Sequence, residues 1–544
     1  MSLNKDSVQS IIDLKTQDDL NRNNIKFKGK LLSNRDIAEV VLGNRKAEST
    51  VRRVWKEYKT KGHYRAVLGS SPIAGGSVEA PVAKRRTLKG NKFVITSAQN
   101  NTHIHEDFFN SLLVYCEEEG AELLVSSFYY NKSGFQNGVN EDAWFDKRIT
   151  PYLINESVQL AKGLVFCGEL NILPTVVSPM TGLYNYTNHD SMIVPHAKLQ
   201  MESMATPKFE DSRMAYSTGC CTLINYREQK AGQKAQHDHS YSALVVEVDK
   251  DGDWFVRQLN CESSTGNFYD LDKYYTKDGV TSGHNLEAIN YGDIHTAKLD
   301  EVVADVSWRN QDSILETLKP KHQFLHDVFD GLAKNWHNVK DPHFIFSTYI
   351  NKTESMESEV SETANLIASM RRPWSNVVVV ESNHDLALLR FLKEHDYKKD
   401  PVNAIFFLEM QLASYKAIER GDVNFSCFET ACHVLQPKTK EGVKFLRTDE
   451  SFVVGDNIEC GMHGNAGVNG SRATSKGLAK VGIRLNTGHS HSSSIYQGNY
   501  TAGVSGKLDM GYNIGPSSWN QSHIFTYKNS KRTIVTLKNG KWRG

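Results

Sequence analysis

No stretch of the chain approaches the run of about 20 apolar residues that a membrane-spanning helix needs. The opening residues, with Asn4, Lys5 and Asp6, lack the apolar core of a secretory leader. A soluble, cytosolic protein is therefore expected. Cysteine is scarce, with eight residues in 544, and none forms a C-x-x-C pair. Adjacent Cys220 and Cys221 suit neither a bridge nor a ligand set, so zinc-finger and disulfide frameworks are excluded and the thiols are read as reduced. Internal repeats and long low-complexity tracts are also absent, which excludes solenoids and arrays.

What is present is length and an uneven charge. At about 150 residues per domain the chain has room for two to four domains. Its net charge is only +1, yet residues 1–92 hold 20 Lys+Arg against 9 Asp+Glu, leaving 44 against 54 in the remainder. A basic N-terminal arm on a mildly acidic body points to an anionic partner, with a nucleic-acid backbone the best candidate.

Within the arm, Ser33-Asn34-Arg35-Asp36 has the form of a helix N-cap, and the apolar run from Ile37 to Leu42 stops at Gly43. A second helix is expected from about Ala47 to Tyr58, with Val51, Val54, Trp55 and Tyr58 at helical spacing. The pair reads as helix-turn-helix-like, although Gly43 to Val51 is longer than the common pattern. Ser49, Thr50, Arg52, Arg53 and Lys56 would then face DNA. A charged helical hairpin serving assembly is the alternative. Residues 1–68 are taken as this segment and 69–91, rich in Gly, Ser and Lys/Arg, as a basic flexible linker.

Residues 92–283 read as an α/β region of unknown role. Strands are expected at Phe93–Thr96, Leu123–Ser126, Leu164–Cys167 and Ala243–Val248, with a helix near Phe108–Glu119. Its histidines (His103, His105, His189, His196, His237 and His239) fall into no spacing that suggests a metal site.

The chemistry-bearing residues lie beyond 284. Asp293 and His295 form D-x-H after a short apolar stretch, a spacing that would set both on one side of extended backbone. Asp327 ends a second expected strand, with Asp330 three residues on. Four β-branched residues, Val377–Val380, suit a strand buried on both faces and deliver Ser382-Asn383-His384-Asp385 into the next loop. His463 follows in Gly461-Met462-His463-Gly464, and His489 and His491 in Gly488-His489-Ser490-His491.

The order D-x-H, D-x-x-D, N-H-D, H, G-H-x-H resembles the calcineurin-like metallophosphoesterase family, which includes phosphatases, phosphodiesterases and the Mre-eleven and SbcD type nucleases. The resemblance covers about the last half of the chain, 284–544. It implies an α/β fold with a β-sandwich flanked by helices. It also implies that Asp293, His295, Asp327 and His491 hold one divalent ion and Asp327, Asn383, His463 and His489 a second. His384 would be the catalytic acid beside the leaving group. Mixed Asp, Asn and His ligands suit Mn, Fe or Zn better than an all-oxygen Mg or Ca cage; Mn is the preferred expectation, with Mg, Fe or Zn as alternatives. Where this family has glycine, the chain has His326 and Ser382.

The resemblance fixes a reaction type and leaves the substrate open. A DNA nuclease accounts for the basic arm. A phosphomonoesterase or protein phosphatase leaves the arm unused, and a non-catalytic DNA-binding assembly protein leaves the ligand set without purpose. Taken together, the features are similar to those of tailed-phage proteins that degrade host DNA during DNA transfer. That likeness implies action in the host bacterial cytoplasm and, as for related nucleases, a homo-oligomer.

Overall fold

The computed structural model describes residues 5–22, 31–61, 86–88, 90–130, 143–335 and 338–544. Most of the expected linker lies outside these residues. The chain divides into two units, Met1–Ala83 and Lys84–Gly544.

The described part of the first unit consists of helices α1 (Lys5–Arg22), α2 (Asn34–Leu42) and α3 (Glu48–Lys61), with a 3-10 turn at Arg45–Ala47. The capping box forms as its sequence dictates. The Ser33 hydroxyl accepts from Asp36 N–H while the Asp36 carboxylate accepts from Ser33 N–H, and Gly43 ends α2 in the left-handed region. Val8, Ile11, Ile12, Ile37, Ala38, Val51 and Val54 make the core. α1 was not anticipated. Among its described residues the buried apolar positions are Val8, Ile11 and Ile12, with Leu14 half-buried beside them, too narrow a face to stand out among polar neighbours. On α3, Ser49, Arg52, Arg53 and Lys56 are exposed and Thr50 is half-buried. Arg52 lies 3.7 Å from Glu48.

In the second unit, β1 (Lys92–Gln99), β2 (Glu122–Phe128), β3 (Ser242–Val248) and β4 (Trp254–Asn260) form a sheet in the order β4-β3-β1-β2. β1 and β2 are parallel and joined through α4 (Glu106–Glu119). His105 caps α4, its Nδ1 accepting from Phe108 N–H, which is a structural use for one of the unassigned histidines.

Strands β5 (Ala288–Asn290), β6 (His322–His326), β7 (Asn376–Val380), β8 (Val443–Leu446), β9 (Ser522–Thr526) and β10 (Arg532–Thr536) form a six-stranded sheet. Its order is β8-β7-β6-β5-β9-β10; β5 to β8 are mutually parallel, β9 is antiparallel to β5, and β10 is antiparallel to β9. Parallel strands need cover on both faces. Ile289, Leu325, Val377 and Val379 pack against helices that include Met356–Ser369, while Phe324, Val378 and Val380 pack on the other face with Val454, Ile458 and Cys460.

Val454 and Ile458 belong to an eleven-stranded sheet that draws its strands from 86–217 and 453–501. The stretches on either side of position 283 are thus joined through one sheet. β4 and β10, edge strands of their sheets, meet through Gln258, whose Oε1 accepts from Ile534 N–H. All eight cysteines are free thiols, seven of them buried.

A buried ion network braces the four-stranded sheet. Arg257 grips Glu247 with Nη1 and Nη2 at 2.7 and 3.1 Å, and Asp270 with Nε and Nη2 at 2.5 and 2.7 Å. Burial raises the Glu247 carboxyl, but Arg257 and then Lys92 outweigh it and hold the group down at about 2. Arg257→Ala leaves buried Asp270 without a cation and Glu247 with Lys92 alone, and is expected to cost about 3–5 kcal/mol in denaturant unfolding. A carboxyl depressed in the folded state contributes stability that is complete above its unfolded value. That contribution is lost as pH falls from about 4.5 towards about 2. An acid titration of unfolding should therefore be shallower in that window for Arg257→Ala.

Candidate metal centre

The site lies at the carboxyl ends of the parallel strands, where open α/β sheets place ligands. The chain leaving β5 runs beside the chain leaving β6: Ile294, His295 and Thr296 N–H donate to the carbonyls of His326, Asp327 and Val328. The same stretch meets the 503–505 segment through Asp293 N–H to Gly503 O and Ser505 N–H to Asp293 O. These ladders bring Asp293, His295 and Asp327 together although 34 positions separate the first and last.

The alternation expected for D-x-H is not how these side chains align. Both residues lie past β5, and His295 has φ 50°. Asp327, His489 and His491 are also left-handed, at φ 46°, 70° and 55°. A non-glycine residue in this region is uncommon and costs on the order of 1–3 kcal/mol when strained. Four such residues aim their side chains into one cluster.

Two groups of ligand atoms result, each with its members within 4.8 Å of one another: Asp293, His295, Asp327 and His491, and Asp327, His463 and His489. Asp327 is common to both. His295 Nε2 and His491 Nε2 are 3.0 Å apart, His491 Nε2 is 3.1 Å from Asp293 Oδ2, and His463 Nε2 is 3.2 Å from Asp327 Oδ2. The two imidazoles are within hydrogen-bond geometry, but the His491–Asp293 and His463–Asp327 contacts are not. Both Asp293 oxygens, Asp327 Oδ1 and both His463 nitrogens are buried without a hydrogen-bond partner. Buried polar atoms are rarely left so, and a convergent set of them fits a cation. The buried Asp/His groups can therefore hold a metal ion.

The local field agrees. Burial lowers His295 and His463, but Asp330 for the first and Asp327 for the second outweigh it and hold each imidazole up at about 9. Burial raises Asp327, but His463 and then His384 outweigh it and hold it well below the carboxylate range. His489, desolvated and beside His463, is lowered.

Asp330 joins the cluster although the sequence reading gave it no role. Its Oδ1 is 2.7 Å from His295 Nδ1 and its Oδ2 accepts from Ala297 N–H, which turns His295 Nε2 towards the cluster. The second aspartate of D-x-x-D was the available signal. His384 is half-buried, its ring 5.0 Å from that of His295, and it forms a third close group with His295 and Asp330. Asn383 is exposed in the turn after β7 and lines a cavity of about 510 Å³ with Asp330 and His384. Lys334, Lys340 and Arg390 line it too. His384 also lines a cavity of about 830 Å³ bordered by Lys298, Lys352 and Tyr512.

The two departures from glycine have local explanations. Ser382 closes the loop after β7: its hydroxyl accepts from Asp385 N–H, and the Asp385 carboxylate accepts from Ser382 N–H. His326 ends β6 fully buried, 3.4 Å from Asn290 Nδ2, its ring 5.6 Å from that of His463. Space is kept instead at Gly488, where a Cβ would lie 2.2 Å from Asp293 Oδ1.

The chain is 43% identical over 482 residues to Protein A1 of Escherichia phage T5, an alignment covering 87% of this chain and 86% of that protein. The chain belongs to the Protein A1 family. Membership supports the phage affiliation expected from sequence. No protein-family model and no solved structure matches the chain. Among the described residues of this Protein A1 relative, no helix is long and apolar enough to cross a membrane.

Proposed function

We propose that this Protein A1 relative is a two-metal-dependent phosphodiesterase that hydrolyses DNA at a metallophosphoesterase-type site. The observation carrying the reading is that six candidate ligands, spread from 293 to 491, meet in two close groups sharing Asp327. Asp293, His295, Asp327 and His491 would hold one cation, and Asp327, His463 and His489 the second, with Asn383 as a further ligand of the second as the resemblance implies. Mn is the expected ion, with Mg, Fe or Zn as alternatives. Such a pair supplies Lewis-acid charge and an activated water. Asp330 orients His295, and His384, which lines both cavities, gives a proton to the departing oxygen. The cationic walls suit a polyanionic strand. In this reading host DNA is the substrate, the host bacterial cytoplasm the place and DNA transfer the process.

Purified protein with Mn²⁺ is expected to degrade plasmid DNA, and EDTA to stop it. Hydrolysis of an aryl phosphate monoester with plasmid left intact would turn the reading to a phosphomonoesterase. On the first unit, Arg52→Ala with Arg53→Ala is expected to weaken DNA binding and flatten its salt dependence by about two phosphate contacts, sparing hydrolysis of a small diester. Unchanged affinity would remove α3 from DNA recognition.

The homo-oligomer is proposed on helix α5 (Ala404–Glu419), where Ile405, Leu408, Leu412 and Tyr415 are exposed at alternating three- and four-residue spacing. That is the seam of a paired helix. Antiparallel pairing with a second copy, centred on position 410, sets Ile405 against Tyr415 and Leu408 against Leu412 of that copy. Leu412→Glu is expected to shift sedimentation from dimer to monomer.

A further inference from the structure

Away from the metal centre, a cavity of about 190 Å³ is lined by Arg484, Lys531, Arg532, His239, Ser263 and Tyr500, among others. Its three cations stand in contrast to Arg257, which is matched by two carboxylates. Arg532 is almost fully buried, yet it donates only to the carbonyls of Leu485 and Gly498 and to Asn486 Oδ1, and its guanidinium lies 4.0 Å over the Tyr500 ring. No carboxylate among the described residues forms an ion pair with Arg484, Lys531 or Arg532. The carboxylate felt by Lys531, Glu262, does not line the cavity and accepts instead from Thr265, Tyr274 and Asn529. A half-buried and a buried cation without counter-charge are costly to fold. Burial pulls Lys531 down and Arg532 down to about 10, the direction for cations short of anions. His239 lies on the same wall and is lowered to about 4 by burial, so it adds no charge at neutral pH.

We infer that this cavity is a binding site for a phosphate-type oxyanion, gripped by Arg484, Lys531 and Arg532. Its volume suits a single phosphate group and not a threaded strand. Arg532 and Lys531 supply charge-assisted hydrogen bonds from the wall, and Arg484, the most exposed of the three, closes over the mouth. The site touches the metal centre through a buried polar chain. Arg532 Nη1 holds Asn486 Oδ1 at 2.9 Å, Asn486 Nδ2 donates to Asn290 Oδ1 at 2.8 Å, and Asn290 Nδ2 lies 3.4 Å from His326, beside His463. Arg484–Thr487 is also the strand that leads into Gly488–His491. The anion site stands on its own cations and does not depend on the hydrolytic reading.

The test is calorimetric titration of inorganic phosphate into the full chain. Metal is stripped with EDTA and chloride matches the ionic strength. One saturable site per chain is expected, with a rise of on the order of a few degrees in the unfolding temperature at saturation. Arg484→Gln with Lys531→Met is expected to weaken phosphate at least about tenfold while leaving Mn²⁺ binding unchanged. Arg532 is left intact because its backbone bonds brace the fold, and Arg484→Glu alone, on an exposed side chain, gives the same loss should the double variant misfold. Wild-type protein that shows no saturable phosphate binding, or variants that bind it as tightly, would overturn the site. Competition by a 5′-phosphorylated tetranucleotide, and none by its 5′-hydroxyl form, would identify the source as a nucleic-acid end; equal failure of both would leave free phosphate.

Discussion

Asp327→Asn is expected to remove bound Mn²⁺ and lower diester hydrolysis by about 10³-fold or more, because Asp327 is the one residue common to both ligand groups. Metal charge contributes several kcal/mol to phosphoryl transfer, and each 1.4 kcal/mol is tenfold in rate. Stability should also fall. Asp327 holds the buried His463 imidazole up, so the metal-free asparagine variant leaves that cation without its partner and should unfold at a lower temperature than the metal-free wild type. Metal content by mass spectrometry, hydrolysis and unfolding temperature measured together separate loss of a ligand from loss of fold. A variant that keeps its metal and its rate would remove Asp327 from the centre.

His384→Ala should behave differently from Asp330→Asn, although both residues stand beside His295. For His384→Ala, kcat on DNA is expected to fall about 10²–10⁴-fold with metal content unchanged, the range for a lost general acid. A diester with a nitrophenol leaving group needs little protonation, so most of that loss should disappear on it. Asp330→Asn disturbs the orientation of His295 and is expected to weaken Mn²⁺ binding about 10–100-fold, by a similar factor for good and poor leaving groups. If His384→Ala lost the same factor on both substrates, its role would be positional.

The elements that local chemistry specifies were legible. Ser33 and Asp36 cap α2 as their spacing requires, and the Val377–Val380 run is a strand buried on both faces. The strands expected near Phe93, Leu123, Leu164 and Ala243 all form, one to three residues longer at an end where they differ. Non-local pairing was not legible. The Ser494–Tyr496 strand pairs with Met201–Met204 nearly 300 positions earlier, and both are too short to carry a register in their own pattern. The candidate ligands were visible as residue types. Their aim was not, because it comes from left-handed backbone at His295, Asp327, His489 and His491 that the ladders between loops impose.

Anomalous diffraction from Mn²⁺-soaked crystals tests the central claim most directly. Two peaks per chain are predicted, one among Asp293, His295, Asp327 and His491 and the other among Asp327, His463 and His489, with Asp327 touching both. No anomalous density inside that cluster, at metal concentrations that saturate any binding in solution, would contradict it.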